Sequence, residues 1–403
     1  MNSVVYLLLL SFAFLRCANA PGPDYPPPQA TTPKPVLPAY IQHFADEYAR
    51  YFSDSVRLTN TPGAALVVVK DSQIILLRCY GPRTVGTSDS INAATVFRIG
   101  SLSKGFAGVL SGILVQEGVF QWDDPVQRFY PEFSLRDKKQ AERIRLWHLL
   151  SHTTGLPYHA CTNLIERGMD IPHIAKNYLP AAPVCGKEGE FFAYQNVALC
   201  LVEEMMRNAT GKTYQDLLTE KIFQRAGMRH ASCDYAGIHD QPNKTLPHFA
   251  VGAGLWRADS ISPYYYNAAA AGGVNASIAD MGEWLKVLLG HRPDMVSAAT
   301  LDRVFQPVVQ TGKERRIFPH WLPREAASYA LGWRVLADED ETVVYHGGYV
   351  NGYKSEIALN RRDGIGICVL FNAHTALSAD CIPAFFEKWK RAKTGASSSI
   401  SAQ

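Results

Sequence analysis

Ser101 and Lys104 stand three residues apart in the stretch FRIGSLSKGFAGVL, residues 97–110. Leu102, Phe106, Leu110, Ile113 and Leu114 carry the spacing of one helical face, which puts Ser101 at a helix N-terminus and Lys104 one turn on. Side chains three apart share a face of a helix. A lysine in an apolar run either reaches the surface or gives up its charge, because burying an ammonium costs several kcal/mol unless it is partnered. An uncharged lysine beside a hydroxyl can activate it as a nucleophile. The N–H of a serine at a helix start can also hold half of an oxyanion. The chemistry on offer is attack of Ser101 on a carbonyl. The same residues also fit an N-capping serine followed by a solvated lysine. About one S-x-x-K match is expected by chance at this length, and this is the sole one in the chain.

The elements that must position this pair come from both ends of the chain. Residues 39–52 have helical spacing of apolar and aromatic side chains, and GAALVVVKDSQIILLRCYG reads as a hairpin turning at residues 70–73. Near the other end YALGWRVL, TVVYHGG, YKSEIALN and GIGICVLFN are four more strands, and SADCIPAFFEKWKRA is a final helix. The middle, from about residue 101 to 289, reads as mostly helical. An α/β (α+β) fold follows: an antiparallel β-sheet flanked by helices, plus an all-helical lobe, with the ligand cleft between them.

His148 and His152 are four apart and could face one metal from a helix. The glutamate of an H-E-x-x-H motif is missing and no third ligand is near, so no metal is assigned. No cofactor is expected.

The residues around Ser101 resemble those of the penicillin-recognising serine hydrolases, which include class C β-lactamases, DD-peptidases, D-aminopeptidases and family VIII-type esterases. FRIGSLSK is similar to their first motif, and GVFQWDDPVQRFYPEF to the segment after its helix. LWHLLSHTTGLP resembles an internal signature, and FAYQNVALCLVEEMMRNATG the Y-x-N motif with its helix. NAAAAGGVNASIADMGEWL and HGGYVNGYKSEIAL resemble later landmarks in the same order. The likeness runs from about residue 62 to 371 and implies the β-lactamase/transpeptidase fold.

Y-x-N occurs three times, at Tyr194/Asn196, Tyr265/Asn267 and Tyr349/Asn351. Only Tyr194 lies between an apolar lead-in and a helix with Val197, Leu201 and Met205 on one face, and it falls in the family's place between the HLLSHTTGLP signature and the AGG landmark. The resemblance implies that Tyr194 is general base and acid, with Lys104 supplying the positive charge that a phenol of pKa near 10 needs at neutral pH. It implies Asn196 as a partner of substrate amide or Lys104. In place of the Lys-Thr-Gly of β-lactamases the chain has His346-Gly347-Gly348, closer to the His-x-Gly of peptidase relatives. The implied substrate-binding set is Asn196, His346, Gly347, Gly348 and Tyr349, with the N–H of Tyr349 as second oxyanion donor. The glycines would let substrate approach the strand. An imidazole near pKa 6.5 would hold a substrate carboxylate less firmly than lysine. The segment from Tyr158 to Phe192 is expected to form part of the cleft wall. The implied activity is that of a D-alanyl-D-alanine carboxypeptidase or penicillin-binding enzyme working through an acyl-enzyme. An esterase or a class C-like β-lactamase is the alternative, and an idle binding protein the non-enzyme one.

The 47% hydrophobic and 19% charged residues of this 403-residue chain are a globular balance. A net charge of +3 with no basic run argues against nucleic acid; the expected partner is a small-molecule or peptide substrate. Residues 1–20, MNSVVYLLLLSFAFLRCANA, read as a signal peptide whose apolar run is shorter than the ~20 residues that span a bilayer. The protein is therefore expected to be exported, periplasmic or secreted, with an uncleaved N-terminal anchor as the alternative and the sole route to a membrane. Residues 21–38 read as a Pro-rich linker, 39–393 as the hydrolase domain and 394–403 as a disordered tail. Cys79, Cys200 and Cys368 sit in apolar runs, as buried free thiols do. Cys161 and Cys185 are the pair an oxidising compartment could bridge.

Overall fold

Stretches such as AALVVVK and IGICVLF are apolar on both faces, and both are buried strands inside one sheet. The computed structural model describes residues 37–252, 254–312 and 326–400. The signal peptide at 1–20 and nearly all of the Pro-rich linker lie outside the described residues. The strands are β1 (Ala64–Lys70), β2 (Gln73–Tyr80), β3 (Val96–Arg98), β4 (His248–Gly252), β5 (Leu255–Ala258) and β6 (Asn275–Ser277). They continue with β7 (Val309–Gln310), β8 (Ala326–Tyr329), β9 (Arg334–Ala337), β10 (Thr342–Val350), β11 (Tyr353–Asn360) and β12 (Ile365–Phe371).

Eight of these form an antiparallel sheet in the order β2-β1-β12-β11-β10-β9-β8-β7. Strands from the two ends of the chain meet where β1 pairs with β12, Ala64 opposite Phe371. One face is covered by the first helix, Ala39–Leu58, and the last, Leu377–Ile400, which lock through Phe44 against Phe385 (ring centroids 5.3 Å apart) and Tyr48 OH donating to Cys381 O at 2.8 Å. On the other face helix Ile278–Leu288 packs on β1 and β12. The helical lobe is built around Ser103–Gln116, whose residues from Ser103 to Leu114 are all buried. A helix apolar all round is a core helix. The antiparallel sheet, flanking helices and helical lobe are those expected. No helix of the described residues is long and apolar enough to cross a membrane.

Four details differ from the expectation. YALGWRVL is not one strand: the chain turns between β8 and β9, closed by Ala330 N–H donating to Trp333 O at 2.7 Å. The middle of the chain also holds short strands, β3 paired with β6 and β4 with β5, too brief for a period of two to register. The tail expected to be disordered from residue 394 continues the last helix to Ile400, with Thr394 Oγ1 donating to Lys390 O at 2.9 Å. Cys161 and Cys185 are both free thiols, so the bridge is not formed; Cys161 O accepts from Leu164 N at 3.0 Å, while Cys185 N–H donates to Gly155 O at 2.8 Å.

Candidate active site

Ser101 lies in a single 3₁₀ turn, Gly100–Leu102, that leads directly into the Ser103–Gln116 helix. Gly100 enters this turn at φ 52°, and a Cβ there would sit 2.9 Å from Tyr349 N. Only glycine allows the turn to lie so close to β10. Ser103 Oγ donates to Gly100 O at 2.7 Å and accepts from Val274 N at 3.0 Å, tying the turn to the loop before β6. The serine is thus presented by a rigid corner where helix, strand and loop meet.

Lys104 is fully buried. Its Nζ lies 3.1 Å from Ser101 Oγ and donates to Ala271 O at 2.7 Å. Burial is the main cause that lowers its pKa to about 7, and the Arg334 guanidinium adds to it. At neutral pH a large share of the amine is therefore uncharged and able to accept a proton. The Nζ also sits over the Tyr194 ring, 4.8 Å from its centroid. Arg334 approaches the same ring at 5.3 Å. Tyr194 is 7% exposed, and the helix Asn196–Thr210 begins two residues after it. Asn196 Oδ1 is buried with no hydrogen-bond partner among the described residues.

A cleft of about 330 Å³ opens over Ser101, within the range of small-molecule sites. Tyr158, His159, Tyr194, Asn196, Tyr265, Arg334, Gly347, Gly348, Tyr349 and Lys354 line it. A larger groove of about 830 Å³ lies elsewhere, beside Phe305 and Asp338. Its lining holds no serine, cysteine, histidine, tyrosine or lysine, so the smaller cleft, which holds Ser101, is the candidate site.

The family model for Beta-lactamase matches residues 46–384. The chain belongs to the Beta-lactamase family. Its members are serine hydrolases that act on small-molecule or peptide substrates. "Protein flp" of Staphylococcus aureus (strain NCTC 8325 / PS 47) is 27% identical over 343 residues, covering 81% of this chain and 62% of that protein, so the chain spans about three fifths of its length. The D-alanyl-D-alanine-carboxypeptidase/endopeptidase AmpH of Escherichia coli (strain K12) is 24% identical over 339 residues, covering 83% and 84%. Among solved structures, an octameric penicillin-binding protein homologue from Pyrococcus abyssi superposes with TM-score 0.71 at 22% identity, over 81% and 73% of the two chains. A β-lactamase/D-alanine carboxypeptidase from Yersinia pestis, complexed with citrate, gives 0.70 at 22% identity, over 86% and 97%. Both likenesses bear on the fold.

The structure brings Ser101, Lys104, Tyr194, Asn196, Gly347, Gly348 and Tyr349 to one cleft. It does not bring the His346 imidazole there. That ring is fully buried. Its Nδ1–H donates to Gly347 O at 2.8 Å, and Nε2 accepts from Tyr329 OH at 3.0 Å and from Arg334 Nη1 at 3.3 Å. Burial, with Arg334 and Lys104 nearby, holds its pKa well below 6.5. The expected carboxylate-holding role is replaced by that of a neutral acceptor orienting Arg334. The second glycine also has another reason than substrate approach: a Cβ at Gly348 would overlap Ile99 O and Ser355 Oγ, where β10 packs on the serine turn. Of the segment from Tyr158 to Phe192, Tyr158 and His159 line the cleft. Sequence reasoning missed Arg334, Tyr265 and Lys354. Arg334 was signalled by a charge opening an otherwise apolar strand; Tyr265 was signalled by the Y-x-N match Tyr265/Asn267, which no apolar lead-in and amphipathic helix flank.

Proposed function

We propose that this protein is a serine hydrolase in which Ser101 is the nucleophile and Lys104 and Tyr194 carry its proton. The observation that carries the reading is a fully buried lysine whose Nζ is 3.1 Å from the serine oxygen. Lys104 in its neutral form accepts the proton of Ser101 as Oγ attacks the carbonyl. The negative charge that develops on the carbonyl oxygen falls between the N–H groups of Ser101 and Tyr349, which the Gly100 turn holds close together. Tyr194 protonates the leaving group, and water resolves the acyl-enzyme by the reverse path. Removing the proton relay or one oxyanion donor costs on the order of 10²–10⁴ in rate.

The leading substrate class is a peptide ending in D-amino acids. β10 pairs with β9 from Thr342 as far as Tyr345, which lies opposite Arg334. Beyond it Gly347–Tyr349 stays paired with β11 on one side but has no strand on the β9 side among the described residues, and it lines the cleft, which suits an extended chain added as a strand. Likeness to the carboxypeptidase AmpH supports the same class. An esterase is the second reading, favoured by the withdrawal of His346 from the cleft and by the exposed Tyr158 and Tyr349 on its wall. Export through residues 1–20, a linker at 21–38 and a hydrolase domain beginning at residue 39 belong to the proposal and rest on the sequence.

The test compares turnover of a D-alanyl-D-alanine peptide, p-nitrophenyl butyrate and benzylpenicillin by wild type and Ser101→Ala. Release of D-alanine that vanishes in the variant supports the leading reading. Ester turnover alone moves it to the esterase. Unchanged turnover in the folded variant removes Ser101 from the mechanism.

A further inference from the structure

His152 belongs to the HLLSHTTGLP stretch, and among the described residues no group of three His, Cys, Asp or Glu side chains is placed to hold a metal ion. What His152 does face is Tyr194. The carbonyl of His152 accepts from Ala193 N at 3.0 Å, and its Nδ1 accepts from Gln195 N at 3.2 Å. The two amides that flank Tyr194 in sequence are thus held by one residue. Its ring also packs on the Tyr194 ring, centroids 4.4 Å apart. Thr154 Oγ1 donates to Gln195 Oε1 at 2.7 Å, and Gln195 Nε2 donates to Leu156 O at 2.6 Å, so the rest of the loop grips the same backbone.

Two further features fit a clamp. His152 takes a left-handed backbone, φ 59°, which a non-glycine residue adopts at a cost and mostly where surrounding contacts require it. With Nδ1 accepting, the imidazole proton is on Nε2, which is buried with no partner among the described residues. A protein keeps such an unsatisfied donor where something else is gained.

We infer that His152 is a positioning residue for the catalytic reaction: it holds the N–H groups of the residues on either side of Tyr194 and packs on its ring, so that the phenol stays aimed at the Ser101–Lys104 pair. This rests on the reading that Tyr194 transfers protons. Loss of the clamp leaves Ser101 and Lys104 in place but lets the phenol wander, so it lowers kcat rather than substrate affinity.

The test uses the full chain with p-nitrophenyl butyrate. His152→Leu removes the acceptor and strains the left-handed backbone; kcat is expected to fall about 10²-fold with KM within about threefold, in keeping with loss of general acid–base help. His152→Asn keeps an acceptor, and asparagine tolerates the left-handed region; it should recover at least about tenfold of that loss. A merely structural residue would not give this rescue. Nor would it leave the pH midpoint of the acid limb and the end-point acylation of Ser101, read by intact mass, unchanged. If His152→Leu does not fold, Thr154→Val, which unties Gln195, should give a smaller loss of kcat at constant KM. His152→Leu with wild-type kcat while Tyr194→Phe is inactive overturns the clamp and leaves the proton-transfer reading standing. Wild-type kcat in both variants, or a wild type that neither turns over ester nor is acylated at Ser101, overturns the underlying reading itself.

Discussion

The two walls of the cleft are built differently. On the inner wall Lys104 and Tyr194 are 0% and 7% exposed, Lys104 Nζ donates to Ala271 O and the residues flanking Tyr194 are tied to His152. On the outer wall Tyr158 and Tyr349 are 58% and 54% exposed. Beside Tyr349 near the end of β10, that wall passes through His159 at φ 55° and Tyr265 at φ 70°, both in left-handed loop backbone. The inner wall holds groups that must not move during proton transfer; the outer one presents rings to whatever is bound. Reaction type should therefore depend on the inner wall and substrate choice on the outer.

Substitutions on the inner wall should break function outright. Ser101→Ala should abolish turnover, with an unchanged circular dichroism spectrum as the control; retained activity would contradict the nucleophile. Lys104→Met should lower kcat by about 10³-fold and at the same time raise Tm. The sign follows from its pKa of about 7 in the folded chain against 10.5 when solvated. Between those values the unfolded chain holds more protons, so wild-type stability rises with pH across that window and the penalty is complete below it. The gain in Tm from Lys104→Met should be larger near pH 6.5 than near pH 10, as thermal melts at the two pH values would read. A gain independent of pH would mean that the amine is not the source.

A subtler test separates two buried groups. Activity should rise with pH through about 7 as Lys104 loses its proton. Glu203, whose carboxyl accepts from Ala270 N at 2.8 Å, is pushed up to about 7 by burial and would titrate in the same range. Glu203→Gln should leave the kcat/KM midpoint where it is. A shift of the midpoint would give the limb to the glutamate. The smallest effect belongs to the outer wall: Tyr158→Ala should change KM several-fold and differently for peptide and ester, with kcat within about threefold. Equal loss of kcat for both would erase the distinction between the walls.

Legibility in the sequence follows the same division. The Ser101/Lys104 spacing, the Tyr194 placement and the strands at both ends were readable because they rest on local periodicity or contiguous motifs. YKSEIALN is strand β11 from end to end. Arg334, Tyr265 and the His152 clamp depend on contacts between residues far apart in the chain; His152 meets Gln195 across 43 positions. His346 was misjudged because its motif names a residue type, while its burial behind Arg334 depends on three strands meeting. The same limit applies to Cys161 and Cys185, whose spacing carries no information on their geometry.

The most direct measurement is intact mass with peptide mapping of wild-type protein quenched seconds after mixing with p-nitrophenyl butyrate or benzylpenicillin. One acyl group per chain, on the peptide holding Ser101 and absent from Ser101→Ala, is the expected result. An acyl group on any other residue, or turnover with no adduct under conditions that trap one, would contradict the assignment of Ser101 as the nucleophile.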